Sequence, residues 1–598
     1  GGDPASGVAC AVDVGTGSVR CGLFLETQDH ALLHSVEAPI DTWWTRQGLH
    51  AEQCSQQIWD TVCCLIRQCC DEAKIPVTRI SCFGFSATCS LVCLQGPDFQ
   101  PCCVSVESHE NMKVSPPLVR DVVLWADHRA VEQARRITQT ADPCLTVVGG
   151  TMSPEMQPPK ILWLQEHMDP VQWSRVSALL DLADFLTYRA TGCLDRSACT
   201  TTCKWLYNSC GHGWQTDLWR KIGLEEVFLG EKQHLVGECI LPIGSPVGQG
   251  VSLSFAQQLA DDEVSIQSLL GTPVAAGMID AHAGMVGTLG FHPSADMSVQ
   301  RRAAVIAGTS TCVLTLGTSP PRGHDLVVQG VWGPYPFLQV NEDMWWLHEG
   351  GESATGSVEQ DFLRILAGSH RGCNQGEHST AGQEESLRQD IIQELQQMAA
   401  QREQPIEFLT ADLHVLPYFA GNRSPRADPT LTSTLVGLTS PLDHTAACTL
   451  YLALLQSFAL GLRHTLDELR RQADIFIDQL VLSGGLSKNP LFPQVLANVT
   501  RCDVLVPHGE AMLSGAALMA FCASQEASPS QVVEAIQGAI MAPLHGDVLT
   551  PQSEGEMAAY FDAKMAIFLK MHQDSSEYRG MMQSWVDRRA AGGESGPL

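Results

Sequence analysis

The chain has 598 residues, of which 44% are hydrophobic and 17% charged, so it is long enough to bury sizeable cores in several subdomains. This composition argues against disorder over most of the length. The 37 basic and 66 acidic residues give a formal net charge of −29. Because nucleic acid and anionic membranes attract clusters of lysine and arginine, neither is an expected partner, and an anionic ligand must be held by local donors.

The N-terminal residues and the cysteines bear on the cellular compartment. Residues 1–10, GGDPASGVAC, contain neither a basic nor an apolar segment, and no run of about 18 apolar residues occurs, so no signal peptide or membrane span is predicted. The 23 cysteines include adjacent pairs such as Cys63-Cys64 but no CxxC spacing. We therefore expect reduced thiols and a cytoplasmic location, with a thiol-sensitive enzyme as the alternative.

The first predicted element is a hairpin at residues 9–26, ACAVDVGTGSVRCGLFLE. Its turn is a run of glycine and hydroxyl residues, namely Gly15, Thr16, Gly17 and Ser18. Glycines let the backbone N–H groups approach a phosphate closely, and Asp13 at the mouth of the turn suits a magnesium ion held through water. The pattern predicts a phosphate-binding turn; the alternative is a glycine-rich hairpin with a capping aspartate.

Strand and helix patterns then alternate, which predicts an α/β fold. Residues 51–74 predict a helix. Residues 79–94 predict paired strands around a turn of small residues. Residues 177–192 predict an amphipathic helix that ends at glycine.

A strand of small and apolar residues, within GTPVAAGMIDAHAG at 271–284, leads to an acid among glycines and alanines. These small residues leave room for a substrate, and a carboxylate is uncommon in such an apolar segment unless it has a function. Asp280 is therefore a candidate functional acid. The alternative is that Asp280 caps the following helix. His282 follows, but no HExxH or comparable motif predicts a metal site.

Residues 303–316, AAVIAGTSTCVLTL, repeat the pattern of the first hairpin. The turn of this second hairpin is formed by Gly308, Thr309, Ser310 and Thr311. Gly308 follows Gly15 by about half of the chain length, which indicates an internal duplication. Two such hairpins facing each other across a cleft would hold one polyphosphate from both sides.

The second half of the chain predicts a further α/β unit. The polar segment 369–405 predicts an exposed insertion or helix. Residues 479–492, QLVLSGGLSKNPLF, predict a strand, two glycines and a helix beginning near Asn489, which suits a nucleotide beside a helix N-terminus; the alternative is an ordinary strand-to-helix turn. Residues 510–520 predict a closely packed helix of small residues, and the last residues, AAGGESGPL, predict a disordered tail.

Seven motifs resemble, in order and spacing, those of the FGGY carbohydrate kinases of the actin and sugar kinase ATPase superfamily. They are DVGTGSVR, LWADHRA, MIDAHAG, AGTST, HEGGESATG, PYFAGNRSP and LSGGLSKNP, and the likeness runs from about residue 8 to residue 570. Within the family, SATCSLVCL, WADHRA, GTMSPEMQPPKILWL and CKWLY are most similar to the branch of FGGY carbohydrate kinase domain-containing proteins, or D-ribulokinases.

The resemblance implies two ribonuclease-H-like domains with a catalytic cleft between them. Residues 8–295 would bind the sugar and carry the first hairpin, residues 300–570 would bind the nucleotide, and residues 571–598 would form a C-terminal helix and a disordered tail. The implied reaction transfers the γ-phosphate of ATP, with Mg²⁺, to a hydroxyl of D-ribulose; L-ribulose, xylulose and pentitols are the alternative acceptors. The resemblance leaves a homodimer open.

The resemblance also implies roles for individual residues. Asp280 would be the general base, and Asp13 would support the magnesium ion. The phosphates would be held by Thr16, Gly17, Ser18, Gly308, Thr309 and Ser310. Gly485 and Asn489 would contact the nucleotide near the α-phosphate and the adenine, and Arg20 would stabilise the charge in transfer.

For the sugar, the resemblance points to Thr88, Asp127, Arg129, Lys204 and Glu349. Polar groups suit a polyhydroxylated ligand, because a site built to hydrogen-bond hydroxyls rejects analogues that lack them. Two alternatives remain: Asp127 and Arg129 pair with each other, and Lys204 is a solvated surface residue. The chain departs from the branch at Ser86, where it has FSATCS in place of FDATCS. Ser86 can still hydrogen-bond a hydroxyl but carries no charge. The resemblance therefore determines the family more firmly than it determines the sugar.

Two other classes of function stay open. A sugar-independent ATPase of the same superfamily would share the two hairpins but would not need WADHRA or CKWLY. A binding protein that has lost catalysis would be expected to lack Asp13 or Asp280, and both are present.

Overall fold

The computed structural model describes residues 7–26, 31–45, 49–105, 118–209, 213–214, 216–289, 299–317, 328–340, 343–370, 381–525, 527–528, 531–532, 534–535, 546–552 and 555–590. Within these ranges, strands and helices alternate along the chain, and the strands form three larger sheets and several two-stranded ones. The predicted α/β fold class is confirmed.

Two of the larger sheets come from the first half of the chain. Its strands are β1 Val8–Val14, β2 Ser18–Leu25, β3 Leu32–Pro39, β4 Trp43–Thr45, β5 His50–Gln53, β6 Ile80–Ala87, β7 Leu91–Gln95, β8 Gln100–Pro101, β9 Val122–Val123, β10 Val176–Asp181, β11 Arg196–Ser197, β12 Tyr207–Asn208, β13 Gly213–Trp214, β14 Ile240–Leu241 and β15 Met278–Ile279. The first sheet has the order β15-β6-β1-β2-β3, and the second has the order β10-β7-β9-β5-β4, with β8 paired to β7.

The helices of the first half connect and cover these strands. They are α1 Ser55–Ala73, α2 Val131–Gln139, α3 Gln157–His167, α4 Pro170–Ser174, α5 Leu182–Thr191, α6 Ala198–Trp205, α7 Thr216–Ile222, α8 Glu225–Phe228, α9 Leu253–Leu259, α10 Glu263–Leu269 and α11 Asp280–Leu289.

The third large sheet lies in the second half of the chain, with the order β18-β19-β17-β16-β22-β23-β24. The strands of this half are β16 Arg302–Ala307, β17 Thr311–Gly317, β18 Trp332–Val340, β19 Asp343–Glu352, β20 His414–Leu416, β21 Thr434–Val436, β22 Gln479–Ser483, β23 Asp503–Pro507 and β24 Gly546–Leu549. Its helices are α12 Gly356–His370, α13 Ala381–Gln401, α14 His444–Ala473, α15 Phe492–Thr500, α16 Ala511–Ser524 and α17 Glu556–Ala590.

The predicted duplication is visible in the strand pairing. In the first sheet, β1 pairs antiparallel with β2 and parallel with β6. In the third sheet, β16 pairs antiparallel with β17 and parallel with β22. Both hairpins therefore have the same place in their sheets, and both turns emerge where a parallel strand of the sheet also ends.

The central strands are buried because helices cover both faces of the first sheet. Every residue of β1 is buried, as expected of its near-continuous apolar sequence VACAVDV. One face packs against α1 through side chains that include Ile58 and Trp59. The other face, with Ala9 and Ala11, packs against α16.

Helix α16 joins the two halves of the protein by lying against α11 and β6. A Cβ atom on Gly515 would overlap the carbonyl of Ala283, and one on Gly287 would overlap the carbonyl of Ala511. Only glycine allows the two backbones to approach this closely. The prediction that residues 510–520 form a closely packed small-residue helix is confirmed.

Three predicted elements need correction in the first half. Residues 51–53 belong to β5, because their side chains are buried in the second sheet, so the helix begins only at Ser55. The two strands within 79–94, β6 and β7, do not pair with each other but enter different sheets. Residues 177–181 form the end of β10, and only Leu182–Thr191 is helical before Gly192.

Two predicted elements of the second half also differ from the structure. The helix predicted near Asn489 begins at Phe492, because Gly485–Lys488 form a short 3-10 turn first. Segment 369–405 contains α13, which is not fully exposed, since Ile391 and Leu395 are buried in a hydrophobic core shared with α14 and α15. Residues 371–380 lie outside the described residues.

The C-terminal helix of the predicted segment 571–598 begins earlier, at Glu556, and ends at Ala590; residues 591–598 lie outside the described residues. Helix α14 is long and apolar enough to cross a membrane by length and composition. However, 72% of its most apolar 18-residue stretch is buried inside the protein, where the helix packs against α15 and α17. This environment is that of a core helix.

Candidate active site

A cleft of about 950 Å³, including the solvent at its mouth, lies between the two hairpins. Its walls contain many of the predicted site residues: Thr16, Gly17, Ser18, Thr88, Lys204, Asp280, Gly308, Thr309, Ser310, Glu349 and Gly485. These residues come from both halves of the chain. The structure therefore brings both glycine-rich turns and Asp280 together around one cavity.

The first turn is held in place by backbone and side-chain hydrogen bonds. The backbone N–H of Gly15 donates to the Ser18 carbonyl at 2.9 Å. The Thr16 carbonyl accepts from the Gln53 side chain at 2.9 Å, and the indole of Trp125 donates to the Thr16 hydroxyl at 3.0 Å. A Cβ atom on Gly17 would meet no atom within 4 Å. The turn is thus fixed while leaving space for a ligand.

The second turn is also held by backbone hydrogen bonds, and the loop after β22 also leaves open space at a glycine. The Thr309 carbonyl accepts backbone N–H groups of Thr355 and Ser357, which tie the turn to the start of α12. A Cβ atom on Gly485 would also meet no atom within 4 Å. Open glycine backbone on both sides of the cleft fits the size and hydrogen-bonding needs of a polyphosphate.

Asp13 is fully buried at the end of β1 and does not line the cleft. Its carboxylate forms an ion pair with Arg20 at 2.5 Å and accepts a hydrogen bond from Ser86 at 2.8 Å. Arg20 lines the cleft and also contacts Glu510 at 3.3 Å. The role of Asp13 at a magnesium ion stays a prediction, because its carboxylate is fully buried and already contacts Arg20 and Ser86.

Ser86 lies beside Asp13 in the parallel pairing of β1 with β6. Its hydroxyl faces Asp13 and the Val12 carbonyl, and the residue is fully buried. The departure from the family pattern therefore affects the surroundings of Asp13.

Asp280 lies at the end of β15, where α11 begins, and is only partly exposed to the cleft. One carboxylate oxygen accepts the backbone N–H of the next residue, Ala281, at 2.7 Å, which is not the bond to the second or third helical residue that the capping alternative requires. Burial and the nearby Asp13 carboxylate raise the pKa of Asp280 to about 7. A carboxylate with this pKa is suited to accept a proton near neutral pH.

Lys204 and Glu349 form a buried pair at the floor of the cleft. The ammonium of Lys204 lies 3.5 Å from Glu349 and 3.7 Å from the centre of the Trp332 ring, and both charged side chains are 2% exposed. Burial raises the pKa of Glu349, but Lys204 and His282 outweigh it and hold that pKa well below its usual range. Lys204 is therefore not the solvated surface residue of the alternative.

Thr88 lies at the same floor, and its hydroxyl is 3.0 Å from that of Ser90. Together with the Lys204–Glu349 pair, it gives the cleft fixed polar groups of the kind that orient a sugar.

Asp127 and Arg129 pair with each other in the interior and do not line the cleft. The Arg129 guanidinium donates to both oxygens of Asp127 at 2.8–3.0 Å and also contacts Glu52 at 2.8 Å. Asp127 further accepts the backbone N–H of Ala51 at 2.7 Å. The two residues therefore pair with each other, as the alternative to a sugar-binding role predicts. Their contacts anchor β5 to the loop before α2.

Asn489 is buried behind the cleft. Its amide group donates to Tyr451 at 2.7 Å and to Glu359 at 3.1 Å, and its oxygen accepts the N–H of Leu491, which precedes α15. The structure therefore separates it from Gly485, which does line the cleft. The role of Asn489 near a nucleotide stays a prediction.

Two charged residues of the cleft, Glu155 and Arg423, have no role in the expectations from the sequence. Glu155 and Arg423 lie 3.5 Å apart across the two halves of the chain, and Ser353 donates to Glu155 at 2.7 Å. Burial raises the pKa of Glu155, but the neighbouring His128 and Arg423 outweigh it and lower that pKa to about 2. Both residues lie within quoted motifs, GTMSPEMQPPKILWL and PYFAGNRSP, so the signal was present without an assigned role.

Comparison with known proteins gives consistent results. The C-terminal domain of the FGGY family of carbohydrate kinases matches residues 303–524. The FGGY carbohydrate kinase domain-containing protein of Homo sapiens is 37% identical over 96% of this chain and 97% of its own length. A D-ribulokinase of Saccharomyces cerevisiae is 29% identical over 88% of this chain and 73% of its own.

A solved structure shares the fold. The ligand-bound xylulose kinase from Lactobacillus acidophilus has a TM-score of 0.69 at 16% identity, covering 96% of this chain and 99% of that one.

Proposed function

Because this chain belongs to the FGGY family of carbohydrate kinases, we propose that it transfers the γ-phosphate of ATP to a hydroxyl of D-ribulose, forming D-ribulose 5-phosphate and ADP. The similarity to a yeast D-ribulokinase supports the choice of sugar. The observation that carries the chemistry is the single cleft in which Asp280 lies between two open glycine-rich turns.

The residues suit phosphoryl transfer by positioning and charge stabilisation, which are its main requirements. The turns at Gly17 and Gly308 would present backbone N–H groups to the phosphates. Asp280 would take the proton of the attacking hydroxyl, and Arg20 would face the charge that develops in transfer. Mg²⁺, held with the phosphates near Asp13, would neutralise part of their charge.

The sugar would occupy the floor of the cleft, where Lys204 and Glu349 supply a donor and an acceptor for its hydroxyls. Glu155 and Arg423 are further candidates for this contact, because they line the same cleft. Groups already fixed by one another lose little freedom on binding, so such a site selects for hydroxyl arrangement. Another ketopentose or a pentitol stays the alternative acceptor.

The experiment is ADP release by the purified protein with magnesium-ATP and a panel of ketopentoses, aldopentoses, pentitols, glycerol and hexoses. We expect the strongest stimulation with D-ribulose. Asp280→Ala should lower turnover by about 100- to 10,000-fold, the usual contribution of a general base. The matched control is Asp71→Ala, at an exposed position of α1, which should keep the activity.

The panel separates this proposal from its alternatives. Stronger stimulation by xylulose, L-ribulose or a pentitol would change the sugar but keep the mechanism. ATP turnover without any sugar would indicate an ATPase. No turnover at all, or full activity of Asp280→Ala, would contradict the kinase mechanism proposed here.

A further inference from the structure

A cluster of three potential metal ligands lies directly behind the floor of the cleft. Cys203, His282 and Glu349 are all buried, and their ligand atoms lie within 4.8 Å of one another. They come from three different elements, α6, the first turn of α11 and β19. We call them the Cys-His-Glu cluster. Of the three, only Glu349 also lines the cleft.

The distances in the cluster are close to those between ligands of one metal ion. The Nε2 atom of His282 lies 3.0 Å from Oε2 of Glu349, and the Cys203 thiol lies 3.3 Å from the same oxygen. In a tetrahedral zinc site, with bonds of roughly 2.0 Å to nitrogen or oxygen and about 2.3 Å to sulfur, neighbouring ligand atoms are about 3.3 to 3.6 Å apart. Small side-chain shifts would make the three atoms converge on one ion.

The orientation of the imidazole is fixed from its other side. The Nδ1 atom of His282 lies 3.1 Å from the Cys199 thiol, one helical turn before Cys203 in α6. An outer partner of this kind holds a ligating histidine and aims its second nitrogen at the metal. The second oxygen of Glu349 is occupied by Lys204, which leaves Oε2 directed toward the cluster.

The chemical types of the ligand atoms determine which metal ion the cluster prefers. A thiol and an imidazole are preferred by zinc, whereas magnesium requires oxygen ligands in octahedral geometry. The magnesium that accompanies ATP should therefore not compete for this site. Because Glu349 lines the cleft, the cluster lies next to the substrate side of the site.

We propose that Cys203, His282 and Glu349 bind one Zn²⁺ ion. This ion inhibits the enzyme because it coordinates the Glu349 carboxylate, which would otherwise accept hydrogen bonds from the sugar. On binding, bonds form from zinc to sulfur, nitrogen and oxygen, and the thiol proton of Cys203 and any proton on His282 Nε2 pass to solvent. No oxidation is involved. The inhibitory half rests on the proposed sugar kinase function, whereas metal binding does not.

The binding half is tested with Co²⁺ as a spectroscopic substitute for zinc, using the full chain and a reductant without thiols. We expect near-ultraviolet cobalt–thiolate absorption that saturates at one equivalent and is displaced by Zn²⁺. Cys203→Ser should lose this band. Cys502→Ser is the matched control, because Cys502 is also buried but contacts the backbone of Ile477 and Thr500 instead.

The outcomes of this first experiment are distinct. Absence of the band in the unaltered protein would overturn the site, whether or not the variants fold. A band that persists in folded Cys203→Ser, as judged by circular dichroism, would also overturn it, because the metal would then be held by other thiols.

The inhibitory half is tested by initial rates with the sugar that gives the most ADP release. Zn²⁺ should raise the apparent KM for the sugar, doubling it at a zinc concentration equal to the inhibition constant, with little change in kcat. Cys203→Ser should weaken this inhibition at least 10-fold, and Cys502→Ser should not. Cobalt binding without sugar-competitive zinc inhibition would overturn the inhibitory half. If no sugar is phosphorylated, the proposed function fails while the cobalt result stands.

Discussion

Two carboxylates near the cleft are set apart by their immediate contacts. Asp13 is fully buried and held by Arg20 and Ser86. Asp280 accepts the backbone N–H of Ala281, and desolvation together with the nearby Asp13 carboxylate raises its pKa to about 7. A raised pKa of this kind is typical of a carboxylate that accepts a proton in a functional site.

The raised pKa of Asp280 predicts a pH dependence. Below about pH 7 the carboxylate is protonated and cannot accept the hydroxyl proton, so the rate should fall about tenfold per pH unit toward acid and level off above neutrality. The measurement is the initial rate at low sugar and low ATP, where the free enzyme is titrated. Magnesium-ATP is kept at constant concentration as the control. A rate that stays constant between about pH 5 and about pH 8 would contradict the role of Asp280.

Ser86 gives a second prediction at the scale of single residues. Replacing it with aspartate puts a second carboxylate about 3 Å from Asp13, and two carboxylates that close do not both ionise freely. Ser86→Asp should therefore reduce the free energy of unfolding more at about pH 8 than at about pH 5. Urea unfolding at both pH values measures this. Ser86→Asn, which is similar in size but uncharged, should show little pH dependence, and an equal effect in both variants would argue against charge repulsion.

At the scale of elements, the contact of α16 with α11 depends on the absence of side chains. A methyl group on Gly515 would overlap the Ala283 carbonyl. Gly515→Ala should therefore lower the free energy of unfolding by about 1–3 kcal/mol, as overpacking does. The control is Gly580→Ala in α17, where an added Cβ meets no atom within 4 Å and helix propensity favours alanine by about 0.8–1.0 kcal/mol. A neutral Gly515→Ala would show that the helices can separate at no cost.

At the scale of the whole molecule, the two halves meet at the cleft, so a nucleotide should order both turns at once. We expect a non-hydrolysable ATP analogue with Mg²⁺ to slow amide exchange at residues 15–18 and 308–311 together. The paired strands β20 and β21, whose own residues do not line the cleft, should show no change. Protection of one turn alone would mean that the ligand contacts only one half.

Most of the secondary-structure elements and the family could be predicted from local sequence patterns. Glycines and hydroxyls between apolar runs specify a strand-turn-strand unit through nearby backbone preferences, and both hairpins are found where predicted. The family and the α/β fold are confirmed for the same reason, since long motifs such as DVGTGSVR and LSGGLSKNP contain the turns themselves. The domain boundaries at 295, 300 and 570 and the individual site roles stay predictions.

Contacts between distant parts of the chain could not be predicted in this way. Within 79–94, the sheet that each strand joins is decided by neighbours far away in sequence, not by the turn between them. The same is true of side chains: Asp127 and Arg129 are drawn into the interior by Glu52, and Glu155 meets Arg423 across 268 residues. The sequence by itself determined the hairpins, the family and the fold class, because these follow from short-range backbone chemistry. Only the tertiary structure decided which polar groups face the cleft, because burial and pairing depend on the packing of the whole chain.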